Sequence, residues 1–140
     1  MEAQEVKKKL LLAALLAVMA DSASAACTFR WSHYGENPIR DLVAKQIGSY
    51  VTDKYCQKFN AGHEIVVQFN AYTLRDMCVG HAIVSMRKRG TKTLPVHTFS
   101  YVAADTACRT NDGARALAAD AAFSGVKDLM SNLDSYKFDK

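Results

Sequence analysis

The sequence predicts an α+β protein in which two helices cover one face of a four-stranded sheet, in the order β-α-β-β-β-α. Between Glu64 and Ala103, three segments alternate apolar and polar side chains and are separated by short polar breaks, as in an antiparallel meander. On either side, residues 38–60 and 114–133 place apolar side chains at three- and four-residue steps, which is the spacing of amphipathic helices.

The first strand is predicted at Cys27 to Tyr34, where Phe29, Trp31 and His33 alternate with polar residues up to Gly35. A helix follows.

Asn37 is expected to cap this helix, because its side chain can accept a free backbone N–H and Pro38 suits the first turn. The apolar pattern then continues unbroken to Asn60, and Gly62 is placed to close the helix. The sequence therefore predicts one long helix here.

In the meander, the alternation assigns two faces to each strand. In the first strand, one face carries Ile65, Val67, Phe69 and Ala71. In the second strand, Cys78, Gly80, Ala82, Val84 and Met86 lie opposite Val79, His81, Ile83 and Ser85. The third strand, at 93–103, has a blurred alternation, and Pro95 indicates an edge or a strand start.

The final helix is predicted at Ala114 to Leu133, with Thr110, Asn111 or Asp112 as its cap. Alanine and glycine dominate its apolar face, which predicts that it lies close on the sheet. Residues 136–140 are expected to be a frayed tail.

Residues 1–26 are interpreted as a cleaved secretory signal. A basic start is followed by an apolar run from Leu10 to Ala20 and by the small residues Ala23-Ser24-Ala25. The run has about half of the ~20 residues that a membrane span needs. The mature chain, 27–140, is expected to be one exported domain without a transmembrane segment, and removal of the leader leaves the net charge of +4 unchanged. Lipidation of Cys27 after Ser24-Ala25-Ala26 stays open as an alternative.

All four cysteines follow the predicted cleavage point, and an even number in an exported chain predicts disulfides. The strand directions bring Cys27 and Cys56 to one end of the sheet and Cys78 and Cys108 to the other. The predicted pairs are therefore Cys27–Cys56 and Cys78–Cys108.

No catalytic motif occurs: the sequence has no nucleophile elbow, phosphate-binding loop, dinucleotide fingerprint or His-Glu-x-x-His helix. A hairpin near Arg89 to Thr91 pairs His81 with a residue around Ser100, which leaves His97 roughly 7 to 13 Å away. We therefore predict no catalytic residues, metal site or cofactor. A small hydrolase or metal protein that uses its histidines remains a second alternative.

Arg87, Lys88, Arg89 and Lys92, with Arg75 in the preceding turn, form the one concentrated basic feature of the sequence. Such a hairpin could bind an anionic ligand such as lipopolysaccharide, phospholipid or glycan. Nucleic acid is not expected, because no aromatic residues are interleaved for base stacking.

The signal segment, the four cysteines and the element order together resemble small exported proteins of Gram-negative bacteria, some of them known as antigens. The order also resembles periplasmic domains of envelope lipoproteins, although the residues before Cys27 match a lipoprotein cleavage box poorly. The resemblance implies an envelope or secreted location and a binding role, and it transfers no site residues. Together with the missing catalytic motifs, this leads us to predict a non-enzymatic, monomeric periplasmic or secreted protein that acts through its surface on an envelope or host partner.

Overall fold

The sheet contains four strands in the order β1-β2-β3-β4, and the computed structural model describes residues 27–138. The strands are β1 (Trp31–Tyr34), β2 (His63–Thr73), β3 (Cys78–Lys88) and β4 (Phe99–Asp105). β1 runs parallel to β2, and the other pairs are antiparallel, which confirms the predicted meander and its directions. The predicted signal segment lies outside the described residues.

The helical layer contains α1 (Asn37–Gln46), α2 (Asp53–Lys58) and α3 (Asn111–Ser131), with 3-10 turns at Ile47–Tyr50 and Leu133–Ser135. Both helical regions pack on one face of the sheet, so the predicted two-layer α+β arrangement is confirmed. Within residues 27–138, none of the helices combines the length and apolar character that crossing a bilayer requires.

The single helix predicted for residues 38–60 is wrong, because the chain leaves helical geometry at Val51 and Thr52, which are extended. Val51 and Tyr55 are nevertheless both buried in the core. The apolar spacing continued across the break because α1 and α2 face the same core. The predicted cap is also wrong: Glu36 occupies the capping position of α1 without a side-chain bond, and Asn37 is already helical.

Helix α3 lies against the middle of the sheet, as its small side chains predict. A Cβ at Gly80 would stand 2.0 Å from the backbone nitrogen of Ala118, and a Cβ at Gly125 would stand 2.5 Å from Val84. The Thr110 hydroxyl accepts the Gly113 N–H at 3.0 Å and caps the helix. Glycine on both surfaces thus sets the distance between α3 and β3.

Two disulfides join the layers, in the predicted pairing. The Cα atoms are 5.7 Å apart in Cys27–Cys56 and 5.4 Å apart in Cys78–Cys108. Since its sulfur is bonded to Cys56, Cys27 has no thiol for a lipid to modify. Each bond closes a loop of about 30 residues, for which chain entropy gives roughly 3–4 kcal/mol of stabilisation.

The last described residues are docked on the sheet, so the prediction of a frayed tail is wrong for them. β4 begins at Phe99, opposite Val84, so the end of β3 pairs with β2 on one side and, within residues 27–138, has no strand neighbour on the β4 side. The buried Tyr136 hydroxyl bonds to the backbone of β3 where a strand neighbour is missing. It accepts the Met86 N–H at 2.8 Å and lies 3.0 Å from the Met86 carbonyl oxygen. Residues 93–98, predicted as strand, form the loop that leads to β4.

Candidate functional site

The face of the sheet away from the helices, which we call the open face, is the main candidate surface. Its side chains come from alternate positions on all four strands. The strand registers arrange them in rows: Glu64 and Arg87; Ser32, Val66 and Ser85; Tyr34, Gln68, Ile83 and Ser100; Asn70, His81 and Val102; and Tyr72, Val79 and Ala104.

One end of the open face holds an ion pair with little access to water. Arg87 Nε donates to Glu64 Oε1 at 2.7 Å, and the side chains of Arg87 and Glu64 are 10% and 13% exposed. Ser32 Oγ donates to the other carboxylate oxygen at 3.0 Å. Both oxygens of Glu64 are therefore engaged within the protein.

Arg87 also reaches across the sheet to Tyr34 on β1. Its Nη1 donates to the Tyr34 hydroxyl at 3.1 Å and to the Thr93 carbonyl at 3.4 Å, and its guanidinium carbon lies 5.9 Å from the Tyr34 ring centre. The side chain thus crosses the row that contains Val66 and Ser85, which explains why these two residues are fully buried on a face that no helix covers.

The partners of Arg87 determine its ionisation. Burial alone would lower the pKa of Arg87, but the hydrogen bonds to Tyr34 and Glu64 outweigh burial and raise the pKa above its usual value. Arg87 therefore stays charged at every physiological pH, and that charge is neutralised internally by Glu64.

Beneath Arg87, the Ser85 hydroxyl is buried and has no hydrogen-bond partner among the described residues. A buried polar atom without a partner costs about 1–3 kcal/mol. The Ser85 hydroxyl is therefore a locally destabilising feature of the open face.

The basic residues predicted to bind anions do not form one patch. Arg87 is committed to Glu64, and Arg89 donates to the His63 carbonyl and to Asn60 Oδ1, both at 3.0 Å. Arg75 lies in the turn before β3, separated from the hairpin by the length of an eleven-residue strand, about 33 Å. Only Lys88 and Lys92 remain exposed together near the tip, and their role in anion binding stays a prediction.

The rest of the open face carries no charged side chain, and several of its residues are exposed. Tyr34, Tyr72 and Val102 are 42%, 48% and 67% exposed. Between them, His81 Nε2 lies 3.1 Å from Ser100 Oγ. Apart from Glu64 and Arg87, the rows contain aromatic, aliphatic, amide, hydroxyl and imidazole side chains, so the open face offers no unpaired carboxylate, ammonium or guanidinium group.

The four histidines lie in different environments. His33 stacks on Phe69 at the sheet edge, His63 lies 4.5 Å from the Phe138 ring centre, and His97 Nδ1 accepts the Lys137 N–H at 2.9 Å. Over the part of the chain that is described, no three His, Cys, Asp or Glu residues are grouped to hold a metal ion.

A broad cleft of about 790 Å³ lies elsewhere, between residues 27–31 and the segment from Ala44 to Ser49. Its charged lining residue is Lys45, and Phe29 and Trp31 supply aromatic surface. The cleft lacks paired acid and base groups, so its lining indicates no catalytic chemistry.

Sequence reasoning missed the contacts among Glu64, Arg87 and Tyr34. A signal was present, because a four-residue turn at 74–77 places Glu64 directly opposite Arg87 in an antiparallel pair. Cross-strand opposite charges attract each other. The bond to Tyr34 could not be inferred in the same way, because it runs diagonally across two rows.

Comparisons with known proteins add little. No protein-family model matches the chain, and no curated protein is significantly similar to it. Among solved structures, the chain is similar to one described as a "putative lipoprotein from Caulobacter crescentus CB15", with 11% identity and a TM-score of 0.36. That match covers 76% of this chain and 85% of the other. A likeness at this level carries no argument about function.

Proposed function

We propose that this chain is an exported, non-enzymatic protein that binds an envelope or host protein through the open face of its sheet. Export is supported by the basic-apolar-small leader pattern and by two disulfides, which persist in oxidising compartments.

The observation that carries the binding proposal is the composition of the open face. Tyrosine, asparagine, glutamine and serine beside exposed valine are side chains that suit a protein–protein interface, where rigid aromatic groups supply contact area and amides and hydroxyls adapt their hydrogen bonds. The two charged residues of the face neutralise each other. The open face offers no free positive charge to an anionic ligand. A mostly neutral protein surface would be complementary to it.

The open face is also preformed for binding. β2 and β3 pair over eleven residues, and the disulfides fasten both ends of the sheet to the helical layer. A preformed surface loses little conformational entropy when it binds.

The test compares two charge insertions in the mature protein. Tyr72→Asp places a carboxylate on the open face in its last row, near the end of β2, and Ala116→Asp places one on the exposed side of α3. Immobilised wild-type and variant proteins are incubated with an envelope fraction or host-cell extract, and bound proteins are quantified by mass spectrometry. We expect a partner that wild type and Ala116→Asp retain equally and that Tyr72→Asp loses by about tenfold or more, as for an interface tyrosine that contributes strongly to binding.

Equal retention by all three proteins would contradict the open face as the binding surface.

Salt dependence separates the anionic-ligand alternative from the main proposal. If binding falls steeply between low and physiological salt and disappears in a Lys88→Ala, Lys92→Ala double variant, the hairpin lysines and not the open face carry binding.

A further inference from the structure

The outer edge of β4 is an unprotected strand edge. Within residues 27–138, β3 is the one strand neighbour of β4, so the backbone groups on the other side of Phe99–Asp105 have no strand partner. Unpaired N–H and C=O groups along an edge form a template for another strand. The opposite edge of the sheet, β1, is only four residues long.

Native proteins usually protect such an edge with lysine, proline, a bulge or a covering segment. β4 contains none of these residues: its sequence is FSYVAAD, and its only charged residue is the last, Asp105. The pairing with β3 is regular over all seven residues, so no bulge twists the edge away.

The strand is also complementary to itself. In an antiparallel pair centred on Val102, Ser100 lies opposite Ala104 of the second copy and Tyr101 lies opposite Ala103. The two Asp105 carboxylates fall at opposite ends of the paired region, each opposite Phe99, so like charges do not face each other. On the helix side, the Tyr101 hydroxyl donates to the Asp128 carboxylate of α3, which directs the ring toward its own helix and leaves room beside Ala103.

Val102 gives the pairing an apolar centre. Its side chain is 67% exposed although it lies in the middle of a strand. A two-fold axis at this residue would place the two valine side chains beside each other on the open face, and each would bury the other. If the two-fold axis were moved by one residue, to Tyr101 or Ala103, it would pass through a half-buried side chain on the helix side of the strand.

We propose that two copies of this chain associate through antiparallel pairing of their β4 strands, centred on Val102, to form one continuous eight-stranded sheet. The proposed dimer differs from the monomer expected from the sequence, and the experiments below distinguish the two. It goes beyond the proposed function and does not depend on it, because the contact uses the strand edge and not the centre of the open face.

Cysteine crosslinking tests both the contact and its register. All four native cysteines are in disulfides, so one introduced cysteine is the single free thiol of the described chain. In Val102→Cys, the facing Cα atoms would be about 4.5–5.5 Å apart, within the range for a disulfide. In Ser100→Cys, the two cysteines would be separated by four residues along the strands, about 13 Å, which is too far.

The purified variants are oxidised mildly at micromolar concentration and run on a non-reducing gel. We expect Val102→Cys to form at least about tenfold more covalent dimer than Ser100→Cys, because pairing raises the effective thiol concentration above that of random collision. A mixture of Ser100→Cys with Ala104→Cys should form the hetero-crosslink. Circular dichroism on each variant confirms that the sheet is intact before oxidation.

Sedimentation of the unmodified protein provides the second measurement. The proposal expects a mass that rises from one copy toward two with concentration, and a loss of this rise in Val102→Lys, which puts like charges at the centre. Equal crosslinking at positions 100 and 102, or a single-copy mass at all concentrations, would overturn the dimer and leave the Tyr72 binding test unaffected.

Discussion

Replacing Gly80 with alanine tests how closely α3 packs on the sheet. The added Cβ would lie 2.0 Å from the Ala118 backbone nitrogen and 2.3 Å from the Leu117 carbonyl carbon. These atoms belong to the helix backbone and cannot rotate away, as the end of a side chain could. To restore an ordinary contact of about 3.4 Å or more, α3 would have to move outward by more than 1 Å.

That movement would loosen the packing of α3 against the sheet. Ala118, Ala122, Val126 and Leu129 of α3 are all fully buried in the core. Overpacking of a core typically costs about 1–3 kcal/mol, and we expect the upper part of this range or more because backbone must shift. For a domain of this size, each kcal/mol corresponds to about 4 °C in Tm, so Gly80→Ala should lower Tm by roughly 8–12 °C.

Gly62→Ala is the matched control. No atom lies within 4 Å of a Cβ at Gly62, so alanine fits there without strain. Reduced entropy of the unfolded chain should make this change neutral or stabilising by about 0.4–1 kcal/mol. Thermal unfolding with disulfides intact measures both variants. If Gly80→Ala shifts the midpoint by no more than Gly62→Ala, the close packing of α3 on β3 is refuted.

Four further perturbations address single groups, each measured by urea unfolding. Ser85→Ala removes the buried unpartnered hydroxyl, so stability should rise by about 1 kcal/mol; a loss of stability would indicate a hydrogen bond at this hydroxyl. Tyr136→Phe removes the hydroxyl that serves the β3 backbone and should cost about 1–3 kcal/mol, whereas an unchanged midpoint would contradict this role. Glu64→Gln leaves the Arg87 charge without its carboxylate and should cost about 1–3 kcal/mol, most of it recovered when Arg87→Met is added; additive losses would show that the pair is not coupled. Burial raises the pKa of Tyr55 to about 12, so the folded state retains this proton at pH values where the unfolded state loses it. Stability should therefore fall by about 2–3 kcal/mol between pH 10 and 12, and a Tyr55→Phe variant with the same decline would refute this assignment.

The features that the sequence predicted correctly depend on short-range rules applied repeatedly. Alternation over many residues located β2 and β3, and strand direction alone then fixed which cysteines meet. The Ala-rich pattern predicted a close helix, and Thr110 was among the expected caps. Each of these predictions draws on several residues that agree, so a local exception does not overturn it.

The errors occurred where tertiary contacts override local pattern. The break at Val51 was invisible because α1 and α2 bury the same kind of face. The tail from Tyr136 was expected to fray because nothing in its sequence shows that β4 begins only at Phe99 and leaves one side of the end of β3 open. The pairing of Arg87 with Glu64 across the sheet was missed, because a run of basic residues does not reveal which of them has a partner on the neighbouring strand.

The same distinction explains why the open face could not be identified from sequence. Helix periodicity specifies what the buried layer must contact, whereas the exposed rows are assembled from alternate residues of four strands and become neighbours only through the register. The register shows that Arg87 is paired with Glu64 and is not a free charge. The remaining surface is neutral and contains tyrosine and amide side chains. Pairing of β4 strands would double this surface without changing its composition. Partner binding through Tyr72 and self-association through Val102 are therefore compatible on one molecule, and the two sets of variants test them separately.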